Sequence, residues 1–182
     1  MSKLQKTIDK ALDSVYINNK PRRFMLFEKR SESGFFYGLK MERRKKSIAV
    51  IDGQGGGIGA VIIKRLREVL GEEVEVICLG TNAMATGAML KAGANKGASG
   101  ENAIVQTVKT VDTVTGTIGL LVANSMMGEV TPQITEAVAS SQTTKCFLPL
   151  KMLEVEIIGA SKEPLPHLVD KLVIRIQEII AS

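Results

Sequence analysis

The sequence of 182 residues has no tryptophan, one histidine, two cysteines and seven aromatic residues in all, and each scarcity removes a class of function. One histidine, with two cysteines that both lie inside apolar strand-like runs, makes no recognisable transition-metal constellation. His167 follows Pro164 and Pro166 at the start of the last apolar-periodic segment, where it reads as a surface or capping residue. No Ser-His-Asp spacing can be recognised around it. Cys78 and Cys146 each lie inside a strand-like apolar run and read as packed, reduced thiols. The opening stretch MSKLQKTIDKALDS lacks the apolar centre and small-residue cleavage site of a secretory signal, so a cytoplasmic location is expected. No apolar run approaches the ~18 residues of a membrane span, and hydrophobic and charged contents of 45% and 24% are those of a globular chain.

Basic excess is also missing from most of the chain. Residues 1–46 hold 13 Lys and Arg against 5 Asp and Glu, a balance of +8; the whole chain has 24 against 19, which leaves 11 against 14, or −3, for residues 47–182. Six of the seven aromatics, Tyr16, Phe24, Phe27, Phe35, Phe36 and Tyr37, precede position 47 as well. A boundary near Ser47 follows: a basic, aromatic-rich N-terminal extension over 1–46 and one domain over 47–182. In the extension, Leu4, Ile8, Leu12 and Val15 recur at helical spacing. The segment RFMLFEKRSESGFFYGLKM places the turn-forming SESG between two apolar runs, as a β-hairpin does. Nucleic acid or an anionic membrane would suit the charge, but no nucleic-acid motif accompanies it, and docking on the domain or on a sister subunit of a homo-oligomer is the favoured reading. Met41 is an alternative start.

What the domain has in abundance is glycine. IAVIDGQGGGIGA crowds five glycines into positions 53–59, directly after the β-branched run Ile48–Ile51. Helical spacing follows, with Val61, Ile62, Leu66, Val69 and Leu70 on one face and Gly71 placed as a C-terminal cap. Then come strand VEVICLG, helix NAMATGAMLKAG, a helix from Ser99 as N-cap, strand DTVTG, and a helix opened by Thr131 and Pro132. Two last strands, KCFLPL and EVEIIGA, stand only a few residues apart, too close for a parallel crossover. The expected fold is therefore α/β: a three-layer Rossmann-like sandwich with a mostly parallel sheet and a final hairpin or antiparallel edge, closed by a helix with Leu168, Leu172, Ile176 and Ile179 inward.

In that setting the glycines let the backbone turn sharply and lie against a ligand, while amides at a helix N-terminus favour an anion. The run fits a dinucleotide fingerprint as Gly55-x-Gly57-x-x-Ala60, and a short-chain-dehydrogenase spacing as Gly53-x-x-x-Gly57-Ile58-Gly59. The candidate binding residues are Asp52, Gly53, Gln54, Gly55, Gly56, Gly57, Ile58 and Gly59, joined by Thr81, Asn82, Thr117, Asn124 and Ser125 from the ends of later strands. A phosphate-bearing small molecule is the ligand class, a nucleotide such as NAD(P) the cofactor class. Two parts of a dehydrogenase are missing. The second strand ends Gly80-Thr81-Asn82 with no acid to hold a ribose, and there is no Tyr-x-x-x-Lys pair. In GTIGLLVANSMMGE, Asn124, Ser125 and Glu129 either face the ligand or, respectively, cap a helix end and sit in solvent. Asp52 is either a pocket carboxylate or the acceptor that holds the glycine loop. Met84, Met89, Met126 and Met127 read as core or subunit-contact filler.

IAVIDGQGGGIG, LGTNAMATGAMLKAGAN, GENAIV, ANSMMGEVTP and EPLPHLVDKLV together resemble a group of bacterial proteins, domain-of-unknown-function family 3842, over about residues 47–180. The resemblance implies a stand-alone Rossmann-like cytoplasmic protein and carries over no catalytic residue. Two functions stay open: a nucleotide-binding protein, with or without a reaction, and a non-catalytic sensor or assembly subunit that takes a small anion or a protein partner.

Overall fold

A computed structural model describes residues 16–17, 20–21, 23–31, 34–42, 44–150, 155–160 and 163–181. It divides into two compact units, Met1–Lys45 and Lys46–Ser182. In the second, β1 (Lys46–Asp52) runs through the glycine loop into α1 (Gly57–Leu70). β2 (Val74–Gly80), α2 (Ala83–Lys91), β3 (Lys96–Ser99) and α3 (Glu101–Thr107) follow. After β4 (Thr113–Thr117) comes a single 3-10 turn at Ile118–Leu121, then α4 (Pro132–Ser140), β5 (Thr144–Leu148) and α5 (Leu165–Ala181). The strands form one sheet in the order β3-β2-β1-β4-β5, and every pairing is parallel.

The position of β1 explains its composition. It lies at the centre of the sheet with helices on both faces, so Ile48, Ala49, Val50 and Ile51 are all fully buried and no polar alternation is tolerated. Alternate side chains serve two cores. Ile48 and Val50 pack with Ile62, Ile63 and Leu66 of α1, Met89 of α2, and Leu172 and Ile176 of α5. Ala49 and Ile51 pack with Ile104 of α3 and with Ile134 and Val138 of α4. Helices on both faces of a parallel sheet make the three-layer Rossmann-like sandwich. Among the described residues no helix is long and apolar enough to cross a membrane.

Four local expectations are corrected. Among the described residues the sheet has no final hairpin or antiparallel edge: from Val155 to Ala160 the chain is largely exposed and turns at Gly159, φ 88°, with the Ala160 amide bonded to the Ile157 carbonyl at 3.1 Å. Val155 and Ile157 are each 40% exposed and Ile158 93%. KGAS, with almost no β propensity of its own, forms β3 because its backbone pairs with Ile77–Gly80 of β2. That moves the N-cap of α3 from Ser99 to Gly100. On α1 the buried face runs through Ile62, Ile63, Leu66 and Leu70, while Val61 is exposed.

The first unit holds an antiparallel hairpin, Arg23–Ser31 with Gly34–Glu42, closing at the Ser31 and Gly34 pair as the SESG turn predicts. Tyr16–Ile17 pairs with Lys20–Pro21. The helix expected over Leu4–Val15 lies outside the described residues.

Candidate functional site

The strand order reverses at β1, with β2 and β3 on one side and β4 and β5 on the other. Loops leaving β1 and β4 part towards opposite helical layers there, and the carboxyl edge between them is where such sheets take ligands. The glycine loop sits at this place. Its turn closes through the Gly56 amide bonded to the Gly53 carbonyl at 2.9 Å, with Gly56 left-handed at φ 68° as the N-cap of α1.

Glycine offers α1 no capping side chain, and Asp52 supplies one from beneath. Its carboxylate is 5% exposed; one oxygen accepts the Gly53 amide at 2.9 Å and the other the Gly59 amide, in the first turn of α1, at 2.7 Å. An anion is thus built into the positive end of the helix. Burial pushes the Asp52 carboxyl above its usual range, the amides of Gly59, Gly53 and Ile58 oppose that rise, and the charge of Glu129 adds to it.

Glu129 comes from the loop after β4 and reaches the glycine loop at Gln54. One oxygen of its carboxylate accepts the Gln54 amide at 2.8 Å, the Asn82 side-chain amide at 2.9 Å and the Thr81 hydroxyl. Asn82 also donates to the Gln54 carbonyl at 3.0 Å and, through its own oxygen, caps α2 at the Ala85 amide at 2.9 Å. Three donors, foremost the Gln54 amide and with it the neighbouring Thr81 and Asn82 side chains, hold the Glu129 carboxyl below its usual range. Gly53 makes room for this arrangement. A Cβ on it would come within 2.9 Å of the Met126 sulfur, the Thr81 hydroxyl and the Glu129 carboxylate.

The structure therefore brings Asp52, residues 53–59, Thr81 and Asn82 together. Thr117, buried, ends β4 two residues beyond the Val50 and Thr115 pair. Ser125 is not at the loop surface: its buried hydroxyl donates to the Gly119 carbonyl at 2.6 Å within its own turn. Asn124 is exposed and left-handed, φ 63°, with its amide on the Val130 carbonyl at 2.7 Å. The group from this segment that reaches the glycine loop is Glu129. In the sequence it is one of three polar residues, with Asn124 and Ser125, that follow the apolar run Ile118–Ala123, a pattern that fits a ligand-facing and a solvated residue equally. Of the methionines, Met89 and Met126 are buried, whereas Met84 and Met127 are 73% and 92% exposed and fill no core.

Two glycines of the loop have no structural cause. Gly53 is required by Met126 and Glu129, Gly56 by its left-handed φ and by the Ala85 backbone 2.6 Å from where its Cβ would stand, and Gly59 by Met89 and Asp52. Gly55 and Gly57 have ordinary φ, and a Cβ on either would meet nothing within 4 Å. Both are exposed, and neither amide has a hydrogen-bond partner among the described residues. A shallow groove of about 170 Å³ lies elsewhere, between α1 and α5. It is smaller than the ~300 Å³ lower end for small-molecule pockets.

Among the described residues, no group of three or more His, Cys, Asp or Glu is placed to hold a metal ion. Cys78 and Cys146 are free thiols, and burial raises both.

A five-stranded parallel sheet wound in this order, with a glycine turn leading from its central strand into the first helix, defines a Rossmann-like α/β protein. The chain belongs to the family described as Domain of unknown function (DUF3842), whose model matches residues 47–181. No curated protein matches it.

Proposed function

We propose that the protein binds a phosphate-bearing small molecule, a nucleotide such as NAD(P) being the class in view, over Gly55–Gly59 at the carboxyl edge between β1 and β4. The observation that carries this reading is the pair Gly55 and Gly57. Neither backbone conformation nor packing asks for glycine at these positions, and an open, Cβ-free backbone with amides not engaged by the described residues is what close approach of a phosphate uses. The site reads as a binding site first. Its carboxylates, Asp52 and Glu129, are both engaged as hydrogen-bond acceptors, and neither forms an ion pair with a lysine or arginine among the described residues. This favours a sensor or carrier of the ligand over an acid–base catalyst. The protein is read as cytoplasmic, with reduced thiols, and as a homo-oligomer to which the basic extension contributes contacts.

Native mass spectrometry of the freshly purified chain, followed by titration with ADP, tests the reading. A bound phosphate compound or ADP binding is expected in the wild type. Both should be lost in Gly57→Val, whose side chain stands over the loop, while the far-UV spectrum stays native. Unchanged ADP binding by Gly57→Val would overturn the loop as the seat.

A further inference from the structure

The contacts of Glu129 are those an anionic ligand would make. A backbone amide of the glycine loop, a hydroxyl at the end of β2 and a side-chain amide at the N-cap of α2 converge on one carboxylate oxygen. The acceptor belongs to none of these segments: it arrives from 75 residues away from Gln54 and 47 from Asn82. Three neutral donors brought together from two segments, the glycine loop and the Thr81–Asn82 link between β2 and α2, form an anion receptor, and here the chain's own carboxylate occupies it. The loop that delivers Glu129 is held in an unfavourable backbone state. Asn124, Met126 and Met127 are left-handed at φ 63°, 52° and 60°, a conformation that disfavours residues with a Cβ. Met127 is 92% exposed, so no packing of its side chain compensates.

The charges around the loop favour exchange over addition. Asp52 already places a buried carboxylate under the loop, and Glu129 acts on it as a like charge. A phosphate added beside both would bring a third negative charge against two that have no cationic partner among the described residues. A phosphate that replaced Glu129 would leave the number of charged groups unchanged and inherit three ready donors. We propose that the Gln54 amide, the Thr81 hydroxyl and the Asn82 side-chain amide are an anion subsite that Glu129 fills in the ligand-free protein, and that a phosphate or carboxylate group of the ligand enters by exchange with it. The proposal rests on the glycine loop being the ligand seat. It adds that the seat is closed by an internal competitor, so that the affinity of the wild type is set by the exchange.

The test is titration of the full chain with inorganic phosphate, and separately with acetate, followed by amide resonances of Gln54, Gly55 and Gly57 in wild type, Glu129→Gln and Glu129→Ala. At least tenfold tighter phosphate binding is expected in Glu129→Ala, with the Gln54 resonance shifting, and an intermediate gain in Glu129→Gln. Acetate competing at Gln54 identifies a carboxylate as an equivalent entrant, and phosphate alone acting there restricts the subsite to phosphate. Should Glu129→Ala not fold, Glu129→Gln, which keeps the shape and loses the charge, decides the matter. Equal phosphate affinity in all three proteins, with Gly55 and Gly57 responding, would overturn the exchange and leave the loop as the seat. Weaker binding in Glu129→Ala would overturn it too, because Glu129 would then be supporting the ligand. Silence of all three resonances in every protein would remove the seat and the exchange together.

Discussion

Asp52 shows how one residue can be legible in type and not in use. Its place at the end of a buried strand marked it as important, and holding the loop through its amides was one of two readings of the sequence. Both carboxylate oxygens turn out to be engaged, by Gly53 and Gly59. Asp52→Asn therefore keeps one acceptor and sets an NH2 group against an amide donor, and Asp52→Ala removes both. Loss of about 2 kcal/mol is expected for Asp52→Ala in urea denaturation, with a smaller loss for Asp52→Asn. The two carboxylates at the site should titrate with opposite sign. Asp52 is raised above its ordinary 3.8 in the folded state, so the wild type should gain on Asp52→Asn as pH falls towards 3.8 and lose again as pH rises through the raised value. Glu129 is lowered from 4.5; its advantage over Glu129→Gln should persist above 4.5 and fade as pH falls through its folded value. The glycines divide in the same way. Gly56→Ala, strained and facing the Ala85 backbone, should cost roughly 2–4 kcal/mol, whereas Gly55→Ala and Gly57→Ala should change thermal stability by less than about 1 kcal/mol. The sequence displays five glycines alike, and only the contacts around each Cβ position separate those the fold needs from those it does not.

At the scale of elements, the segments read correctly are those whose signals are local. The continuous apolar run of β1 and the Thr131 and Pro132 start of α4, with its cap bond to the Ile134 amide at 3.2 Å, both depend on neighbours in sequence. β3 was invisible because its four residues are a strand only by virtue of β2 beside them, and EVEIIGA was misleading because β-branched composition says nothing about whether a sheet edge is there to receive it. Asn82 joins the two kinds of information. Its oxygen caps α2, and its NH2 group ties that helix to the glycine loop and to Glu129. Asn82→Asp should preserve the cap yet lose both donations and place a second carboxylate against Glu129. A deficit of roughly 1–2 kcal/mol near neutral pH is expected, shrinking on acidification as the carboxylates protonate. Asn82→Ala, which lacks the cap, should show a deficit that acid does not relieve in this way. Equal pH profiles for the two variants would mean that the link from α2 to Glu129 contributes nothing.

For the whole molecule, the charge and aromatic asymmetry at position 47 marked two parts of different composition, and both cores of the second unit are assembled from residues at or beyond Ile48. A chain beginning at Met41 is expected to remain soluble and to unfold in a single transition by urea with coincident fluorescence-independent probes such as far-UV dichroism and amide resonances. Aggregation of that chain would mean that the extension covers apolar surface of the domain or of a second copy. The sheet order has one more consequence, which concerns synthesis. The most deeply enclosed strand is made first: Ile48 meets its β2 partner Val76 after 28 residues but its β4 partner Thr113 only after 65. At about 5–20 residues per second, translation leaves one long side of β1 unpaired for roughly 3–13 seconds. During that interval the nascent chain carries an apolar strand edge that nothing else in the domain can yet cover, and a ribosome stalled between Ser99 and Thr113 would hold it in that state.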